Sequence, residues 1–197
     1  MSIVIIKYNA GNIQSVLFAL ERLGINAIVT EDAAKIVSAD KIIFPGVGEA
    51  STAMQYLKER KLNELIISLK QPVLGICLGM QLLCNYSEEG NTKCLGIFES
   101  VSVKRFTPVK SSDKVPQVGW NTVTNLKSPL FNYVSENSYC YFVHGYYAEE
   151  SEYTIATTNY TKPYSAALQK NNFFGVQFHP EKSAKTGDVI LKNFLSL

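Results

Sequence analysis

The segment VLGICLGMQ at positions 73–81 constrains the fold more than any other part of the chain. A short apolar run that follows Pro72 predicts a buried β-strand, and apolar residues from Leu78 onward recur at helical spacing. The two elements meet at Cys77, which has a glycine two positions away on each side. Small residues at those positions let a strand and a helix approach closely around a sharp, strained turn. The segment therefore predicts a strand–turn–helix with a cysteine at its tip.

The predicted position of Cys77 indicates a reactive thiol. A thiolate at a helix N-terminus is stabilised by unpaired backbone N–H groups and by the helix macrodipole. The alternative is a buried cysteine that acts as a small hydrophobic residue. That alternative leaves the two flanking glycines unexplained, so we predict that Cys77 is a nucleophile.

The chain contains two histidines, which limits the choice of a general base for this thiol. His144 lies in an aromatic and β-branched run at 139–147, which predicts one strand and a structural role for its imidazole. His179 precedes a proline, which favours extended backbone, and Glu181 two residues later would then lie on the same face. A carboxylate that orients an imidazole is the third member of a catalytic triad. A surface turn is the alternative, but the presence of Cys77 favours a triad.

A glycine-rich turn at positions 45–48 lies between a predicted strand and a predicted helix. Glycines there allow backbone N–H groups to turn towards a developing negative charge, as in an oxyanion hole. The same segment nearly matches a dinucleotide-binding fingerprint, but Ser51 replaces the third glycine and no acidic residue follows at the required distance. We therefore predict an oxyanion hole. Its predicted donors belong to Gly46, Val47, Gly48 and Leu78.

The order of the predicted elements indicates an α/β fold. In the first half of the chain, strands are predicted at 3–7, 27–30, 41–44 and 73–77. Helical segments separate these strands, which implies an open, mostly parallel sheet with helices on both faces. Strand-like runs with short polar turns in the second half predict antiparallel additions, before a final helix at 188–195. Cys77 and Gly48 would then lie at the carboxyl ends of neighbouring strands, where open α/β sheets bind ligands.

Composition excludes several classes of protein. The chain has 197 residues without a linker or repeat, which predicts a single domain over 1–197. A net charge of +2 without a basic cluster argues against nucleic-acid binding. No apolar run is long enough for a membrane span or a signal sequence, so we expect a cytoplasmic protein. The four cysteines form no CxxC pair, and we expect reduced thiols and no metal site.

These motifs, in this order, resemble those of the class I, or triad, glutamine amidotransferases. GICLGMQ and FHPEKS carry the resemblance. Within the class, the chain is most similar to the glutaminase subunits of imidazole glycerol phosphate synthases, over essentially its whole length. The elements that favour this subfamily are GNIQSV at 11–16, PGVGEA at 45–50, SEEG at 87–90, VPQVGWN at 115–121 and YFVHGYY at 141–147. The chain departs from the usual subfamily pattern at Lys7, Asn9, Gln117 and Gly145.

The resemblance implies a flavodoxin-like fold, a reaction and a partner. Cys77, His179 and Glu181 fall on the nucleophile, the base and the orienting carboxylate of a triad that hydrolyses glutamine through a cysteine thioester, without a cofactor. Ammonia would pass through a channel to a (β/α)₈ cyclase subunit of a heterodimer in histidine biosynthesis. The implied glutamine-binding residues are Gly48, Gln81, Glu89, Gly145 and Tyr146. The implied partner-interface residues are Asn12, Gln117, Trp120, Asn121, Tyr141 and Lys182.

Three alternatives stay open on the sequence alone. The same glutaminase could supply another ammonia acceptor, such as a sugar amidotransferase. A stand-alone cysteine hydrolase would be active without any partner. A non-catalytic nucleotide-binding module would have no reactive thiol at Cys77.

Overall fold

The computed structural model describes residues 1–111 and 113–197. In chain order, the first elements are β1 (Ile3–Ile6), α1 (Ile13–Arg22), β2 (Ile28–Thr30), α2 (Ala33–Ser38), β3 (Lys41–Gly46), α3 (Ala50–Glu59), α4 (Leu62–Ser68), β4 (Val73–Cys77) and α5 (Leu78–Leu83). They are followed by β5 (Cys84–Ser87), β6 (Thr92–Lys93), β7 (Phe98–Arg105), β8 (Gln117–Val123), β9 (Ser138–His144), β10 (Tyr146–Ala148), β11 (Thr154–Tyr160), β12 (Lys162–Lys170), β13 (Phe173–Val176) and α6 (Ala184–Ser196). Short 3₁₀ turns occupy Pro129–Phe131 and Pro180–Lys182.

The main sheet is open and mostly parallel. Its strand order is β11-β12-β13-β4-β3-β1-β2. The strands from β13 to β2 run parallel to their neighbours, and β11 and β12 add to this sheet in antiparallel fashion. This arrangement confirms the predicted α/β fold with antiparallel additions from the second half of the chain.

The apolar strands at the centre of the sheet explain where its two cores lie. All residues of β3 and of β4 are buried, as expected for parallel strands that are covered on both faces. Phe44 and Val73 contribute to the core on one face, whereas Ile43 and Leu74 contribute to the core on the other. Within the described ranges, the helices are all too short or too polar to cross a membrane.

Two smaller sheets complete the fold, one with the order β10-β7-β5-β6 and one that pairs β8 with β9. The aromatic run at 139–147, predicted as one strand, is divided between these sheets, since β9 ends at His144 and β10 begins at Tyr146. The chain bends at Gly145 between them, and the Gly145 carbonyl accepts a hydrogen bond from the Phe106 N–H at 3.0 Å. The prediction of a continuous strand was therefore wrong.

The glycines that flank Cys77 lie where α5 touches the sheet. A Cβ atom on Gly79 would lie 1.8 Å from the carbonyl oxygen of Phe44. A Cβ atom on Gly75 would lie 2.8 Å from the backbone nitrogen of Met80. Both obstacles are backbone atoms, so no side-chain rotation can relieve them. The close approach that the sequence predicted at these two glycines is confirmed.

We expect the Gly79→Ala variant to lose about 3 kcal/mol or more of its free energy of unfolding, measured by urea denaturation, because its new methyl group would overlap the Phe44 carbonyl. Helix propensity alone would make the alanine variant more stable by about 1 kcal/mol. The sign of the change in the free energy of unfolding therefore shows whether the overlap or the helix propensity is larger. Gly145→Ala is the matched control, since a Cβ there meets only ordinary contacts at 3.9 Å. A Gly79→Ala variant as stable as the unmodified chain would contradict this packing.

Candidate active site

Cys77 forms the strained turn between β4 and α5. Its backbone has φ 53° and ψ −108°, a region that residues other than glycine rarely adopt. Strain of this kind typically costs about 1 to 3 kcal/mol and persists only where the surrounding structure enforces it. The side chain is buried, with 5% of its surface exposed. The predicted strand–turn–helix with Cys77 at its tip is confirmed.

The structure brings His179 and Glu181 together beside this turn. The distance between His179 Nδ1 and Glu181 Oε1 is 2.7 Å, and both side chains are buried. Because the carboxylate accepts this hydrogen bond, Nδ1 carries the proton and Nε2 is left free to exchange one. In the part of the chain that the structure describes, the buried Nε2 atom has no hydrogen-bond partner. One nitrogen of the imidazole is thus oriented and the other is available.

The backbone around His179 is held by Ser183. The Ser183 hydroxyl donates to the His179 carbonyl at 2.7 Å and accepts from the Tyr141 N–H at 2.9 Å. The His179 N–H donates in turn to the Tyr141 carbonyl at 2.9 Å. The tight turn of the HPEKS motif is therefore fixed to β9.

Asn12 also contacts the buried acid–base pair. Its Nδ2 atom donates to Glu181 Oε1 at 2.5 Å and lies 3.4 Å from His179 Nδ1. The sequence predicted Asn12 as an interface residue and as the N-cap of the first helix, but its side chain makes no capping hydrogen bond and reaches Glu181 instead. Asn12 therefore links the start of α1 to the carboxylate that orients His179.

The charge state of His179 depends on its two neighbours. Burial disfavours the imidazolium form, but Cys77 and Glu181 favour it more strongly and raise the pKa of His179 to about 10. Cys77 and Glu181 are therefore the two groups that hold a proton on His179. The site thus favours the imidazolium form of His179.

The predicted oxyanion-hole segment lies next to this thiol. Gly46 of β3 pairs with Cys77 of β4 in the sheet register. Gly48 has φ +129°, which glycine adopts far more readily than other residues. The Val47 carbonyl accepts a long hydrogen bond, 3.3 Å, from the Gly11 N–H. Leu78 is the first residue of α5, where N–H groups have no partner within the helix. The predicted donors are therefore grouped around Cys77.

A pocket in front of Cys77 collects the residues predicted to bind glutamine. It is lined by Val47, Gly48, Cys77, Leu78, Gln81, Glu89, Val143, His144, Gly145 and Tyr146. All five predicted glutamine-binding residues belong to this set. Two further pockets in the same chain contain none of the predicted site residues, so the chemistry rather than the size of the cavity identifies the site.

Glu89 supplies a carboxylate to this pocket. Its Oε2 atom accepts a hydrogen bond of 2.9 Å from the Ala50 N–H at the start of α3. Burial raises the pKa of Glu89, and this N–H group partly opposes that rise. The carboxylate is half-buried and can pair with an ammonium group of a bound ligand.

Two buried glutamines are linked at the pocket, where Gln81 is a lining residue and Gln177 is not. Gln81 Nε2 donates to the Tyr146 carbonyl and to Gln177 Oε1, both at 2.9 Å. Gln177 Nε2 lies 3.6 Å from Cys77 Sγ. The sequence did not predict Gln177 as a site residue. Its only signal was a polar residue in an apolar run directly before the FHPE motif.

His144 has the structural role that the sequence predicted. Its Nδ1 atom lies 2.7 Å from the Tyr146 carbonyl and its Nε2 atom 3.1 Å from the Tyr164 hydroxyl. Burial lowers the pKa of His144 to about 4, although the Tyr146 carbonyl partly opposes this shift. Both nitrogens are therefore occupied within the fold, and the ring is neutral at pH 7.

This shift predicts a dependence of stability on pH. Because the pKa of His144 is about 4 in the folded chain and about 6.5 when unfolded, the unfolded chain binds the extra proton between these values. The free energy of unfolding should therefore fall as the pH falls from about 6.5 to about 4, by up to about 1.4 kcal/mol per unit from this group. Urea denaturation should give a shallower dependence for His144→Gln. Equal slopes would contradict a neutral, buried His144.

The predicted interface residues divide into exposed and buried ones. Trp120 is 53% exposed and packs edge-on against the half-buried Tyr141, and Lys182 is exposed. Asn121 is half-buried and donates to the Asn159 carbonyl at 3.0 Å. Gln117 is only 3% exposed and accepts a hydrogen bond from the Tyr164 hydroxyl at 2.8 Å, so its placement on a partner surface was wrong. Residues three apart in a strand point to opposite faces, and Trp120 takes the outer one.

Comparison with known proteins places the whole chain in one family. The family model for glutamine amidotransferase class-I matches residues 4–197. Imidazole glycerol phosphate synthase subunit HisH of Bacteroides fragilis is 57% identical over 197 residues, which is 100% of both chains. The protein of the same name from Haemophilus influenzae is 49% identical over 196 residues, covering 99% of this chain and 97% of its own.

The fold is shared with more distant proteins of known structure. A crystal structure of a glutamine amidotransferase has a TM-score of 0.75 at 16% identity, and the match covers 100% of this chain and 98% of that one. A glutamine amidotransferase from Thermotoga maritima has a TM-score of 0.65 at 17% identity, over 100% of this chain and 83% of its own. At these levels of identity the likeness concerns the fold alone.

Proposed function

The chain belongs to the class I glutamine amidotransferase family, and we propose that it is the cytoplasmic glutaminase subunit of an imidazole glycerol phosphate synthase in histidine biosynthesis. The observation that carries the chemical part of this proposal is a cysteine on a strained turn beside a buried histidine–glutamate pair. The observation that carries the choice of pathway is the full-length identity of 57% to a relative that bears the synthase name.

Glutamine binds with its side-chain carboxamide at Cys77. The Glu89 carboxylate pairs with the α-ammonium group of glutamine at the other side of the pocket. Both N–H groups of the Gln81 amide are engaged by protein acceptors, which leaves its Oε1 atom to accept a hydrogen bond from the substrate. The backbone of Gly145 and Tyr146 closes the pocket.

The reaction proceeds through a covalent thioester. His179 takes the proton of Cys77, and the thiolate attacks the carboxamide carbon to form a C–S bond. Backbone N–H groups at 46–48 and at Leu78 hold the resulting oxyanion, and each such donor is typically worth about 2.7 to 4 kcal/mol. The C–N bond then breaks as His179 returns a proton to the departing ammonia. Water hydrolyses the thioester with His179 as base, which releases glutamate and the thiol.

The outer face of the β8–β9 pair is the proposed docking surface for the cyclase subunit. Val118, Trp120 and Tyr139 are 61%, 53% and 60% exposed on this face. Large apolar side chains exposed together indicate a protein interface. Strand β9 also binds the His179 backbone, so the surface borders the triad. A (β/α)₈ subunit docked here would receive ammonia directly.

The same surface offers a route for control of the oxyanion hole. Asn12 and Lys182 flank the triad at the proposed interface, and Asn12 follows Gly11, whose N–H holds the Val47 carbonyl. Glycines on both sides of Val47 let its peptide rotate at low cost. A bound partner can therefore bias the peptide towards the orientation in which an N–H group faces the substrate. We expect the isolated chain to be nearly inactive.

The test is the rate of glutamate formation by the purified chain alone, with the cyclase present, and with both the cyclase and its ligand present. We expect little glutaminase activity from the isolated chain and strong stimulation when both the cyclase and its ligand are present. High activity of the isolated chain, unchanged by the cyclase, would support a stand-alone hydrolase. Stimulation by a sugar amidotransferase domain instead would support the alternative ammonia acceptor.

Lys182 is expected to transmit the presence of the partner, because it directly follows Glu181 and is exposed. Lys182→Ala should weaken the stimulation of glutaminase by the cyclase and its ligand more than it changes cyclase turnover with added ammonium salts. Lys192→Ala, an exposed lysine on α6, is the control. Equal behaviour of the two variants would mean that Lys182 is an ordinary solvated lysine.

A further inference from the structure

Gln177 occupies an unusual position for a polar residue. Its side chain is completely buried, at 0% exposure, directly after β13 in the centre of the main sheet. Buried polar groups need hydrogen-bond partners, and both partners of Gln177 belong to the candidate active site. Its Oε1 atom accepts from Gln81 at 2.9 Å, and its Nε2 atom lies 3.6 Å from Cys77 Sγ.

The orientation of the Gln177 amide is fixed by a chain of hydrogen bonds that begins at the backbone. The Tyr146 carbonyl can only accept, so the Gln81 amide must present its nitrogen to it. The second N–H of that same nitrogen points to Gln177, which must therefore present its oxygen. The Gln177 nitrogen then faces Cys77. Reversing Gln81 would place its oxygen against two acceptors, and reversing Gln177 would place two N–H donors against each other.

We propose that Gln177 is a catalytic residue that donates an N–H hydrogen bond to Cys77 Sγ. The inference rests on the proposed function, in which Cys77 is the nucleophile. An N–H donor favours the thiolate over the thiol, because a charged acceptor forms the stronger hydrogen bond. Gln177 also restricts the rotation of the Cys77 side chain and so keeps the sulfur close to His179.

The contribution of this hydrogen bond changes during the reaction. The sulfur carries a full negative charge before attack, and it becomes a weak acceptor once the thioester has formed. Charge returns to the sulfur when the thioester breaks down, so the donor assists the departure of the thiolate as well. Gln177 does not line the substrate pocket, and its loss should therefore lower kcat with little change in KM.

The alternative is that Gln177 is a core residue that only joins β13 to α5 through Gln81. A structural role of that kind would affect stability without altering the reactivity of the Cys77 thiol. The two roles are therefore separated by measuring that reactivity directly.

The experiment compares the unmodified chain with the Gln177→Met variant. The first measurement is the rate at which iodoacetamide alkylates Cys77 at pH 7, and the second is glutaminase kinetics in the presence of the cyclase. The variant keeps the length of the side chain and loses the N–H donor. We expect the alkylation rate and kcat to fall about ten- to hundredfold, as for a hydrogen bond to a charged group. Gln169→Met is the matched control, because Gln169 binds Ser128 far from the site.

A second variant, Gln177→Glu, keeps an oxygen that accepts the hydrogen bond from Gln81. It therefore keeps the inference testable if Gln177→Met does not fold. Its carboxyl group can donate to the sulfur at low pH, but it repels the thiolate once it is ionised. Glutaminase activity of this variant should therefore fall as the pH rises. Wild-type alkylation rates in both variants, or a change in unfolding temperature alone, would overturn the inference. Absence of glutamine hydrolysis by the unmodified complex would instead refute the proposed function, since the alkylation comparison does not depend on glutamine.

Discussion

Replacement of Cys77 by alanine is expected to lower glutamine hydrolysis by about 10⁴-fold or more, because no thioester can form without the sulfur. The fold should survive at a modest cost in stability, since alanine keeps the Cβ atom and removes only the sulfur. The measurement is glutamate formation in the complex with the cyclase. Cyclase turnover with added ammonium salts should stay unchanged, because the proposed acceptor site lies on the partner.

Cys140→Ala is the matched control for that experiment. Cys140 is a residue of β9 whose free thiol is buried in the core. Burial raises the pKa of this thiol to about 12. Its loss should cost stability without loss of glutaminase chemistry. Glutaminase activity that persists in Cys77→Ala, or that disappears in Cys140→Ala with the fold intact, would contradict the assignment of the nucleophile.

The second large effect is expected at His179. General base catalysis alone contributes about 10² to 10⁴ to a rate, so kcat of His179→Ala should fall at least by that range. Among the described residues, the imidazole has an Nδ1 atom oriented by Glu181 and a buried Nε2 atom without a hydrogen-bond partner, as a general base needs. The measurement is steady-state glutaminase kinetics in the complex.

His144→Ala provides the comparison within the same chain. Both nitrogens of His144 are hydrogen-bonded to the fold, and the ring is neutral at pH 7. Its loss should lower the unfolding temperature and alter substrate fit, with a much smaller effect on kcat. Equal losses of kcat at the two histidines, in folded proteins, would argue against the triad.

Local signals in the sequence predicted the parts of the fold and site that depend on local geometry. The elbow at Cys77 needs two glycines at fixed positions, and the pairing of His179 with Glu181 needs a proline and a spacing of two. Both are visible along the chain. The parallel core followed from the alternation of apolar strands and helices.

Other elements depend on partners that are distant in sequence. Strand β8 contains a glycine and polar residues, so its residues alone did not predict a strand; it is stabilised by pairing with β9. The final helix begins at Ala184, earlier than predicted, where Gly187 packs closely against the Pro180 carbonyl. Such contacts leave little local pattern.

The site residues that the sequence missed have the same explanation. Gln177 reaches Cys77 because β13 is the neighbour of β4 in the sheet, and Asn12 reaches Glu181 because α1 packs against the HPEKS turn. Gln117 was wrongly assigned to the partner interface because β8 was not predicted as a strand. Neighbouring residues of a strand point to opposite faces, and Gln117 lies on the inner one. Side-chain direction could be assigned only after the register of β8 and β9 was known.

The most direct test of the nucleophile is mass-spectrometric mapping of the chain after reaction with an electrophilic glutamine analogue in the presence of the cyclase. Cys84, Cys94 and Cys140 are buried, and burial raises the pKa of each of these thiols. We predict one adduct, on Cys77, whose formation is slowed by added glutamine. Modification of Cys84, Cys94 or Cys140 with Cys77 unreacted would contradict the account.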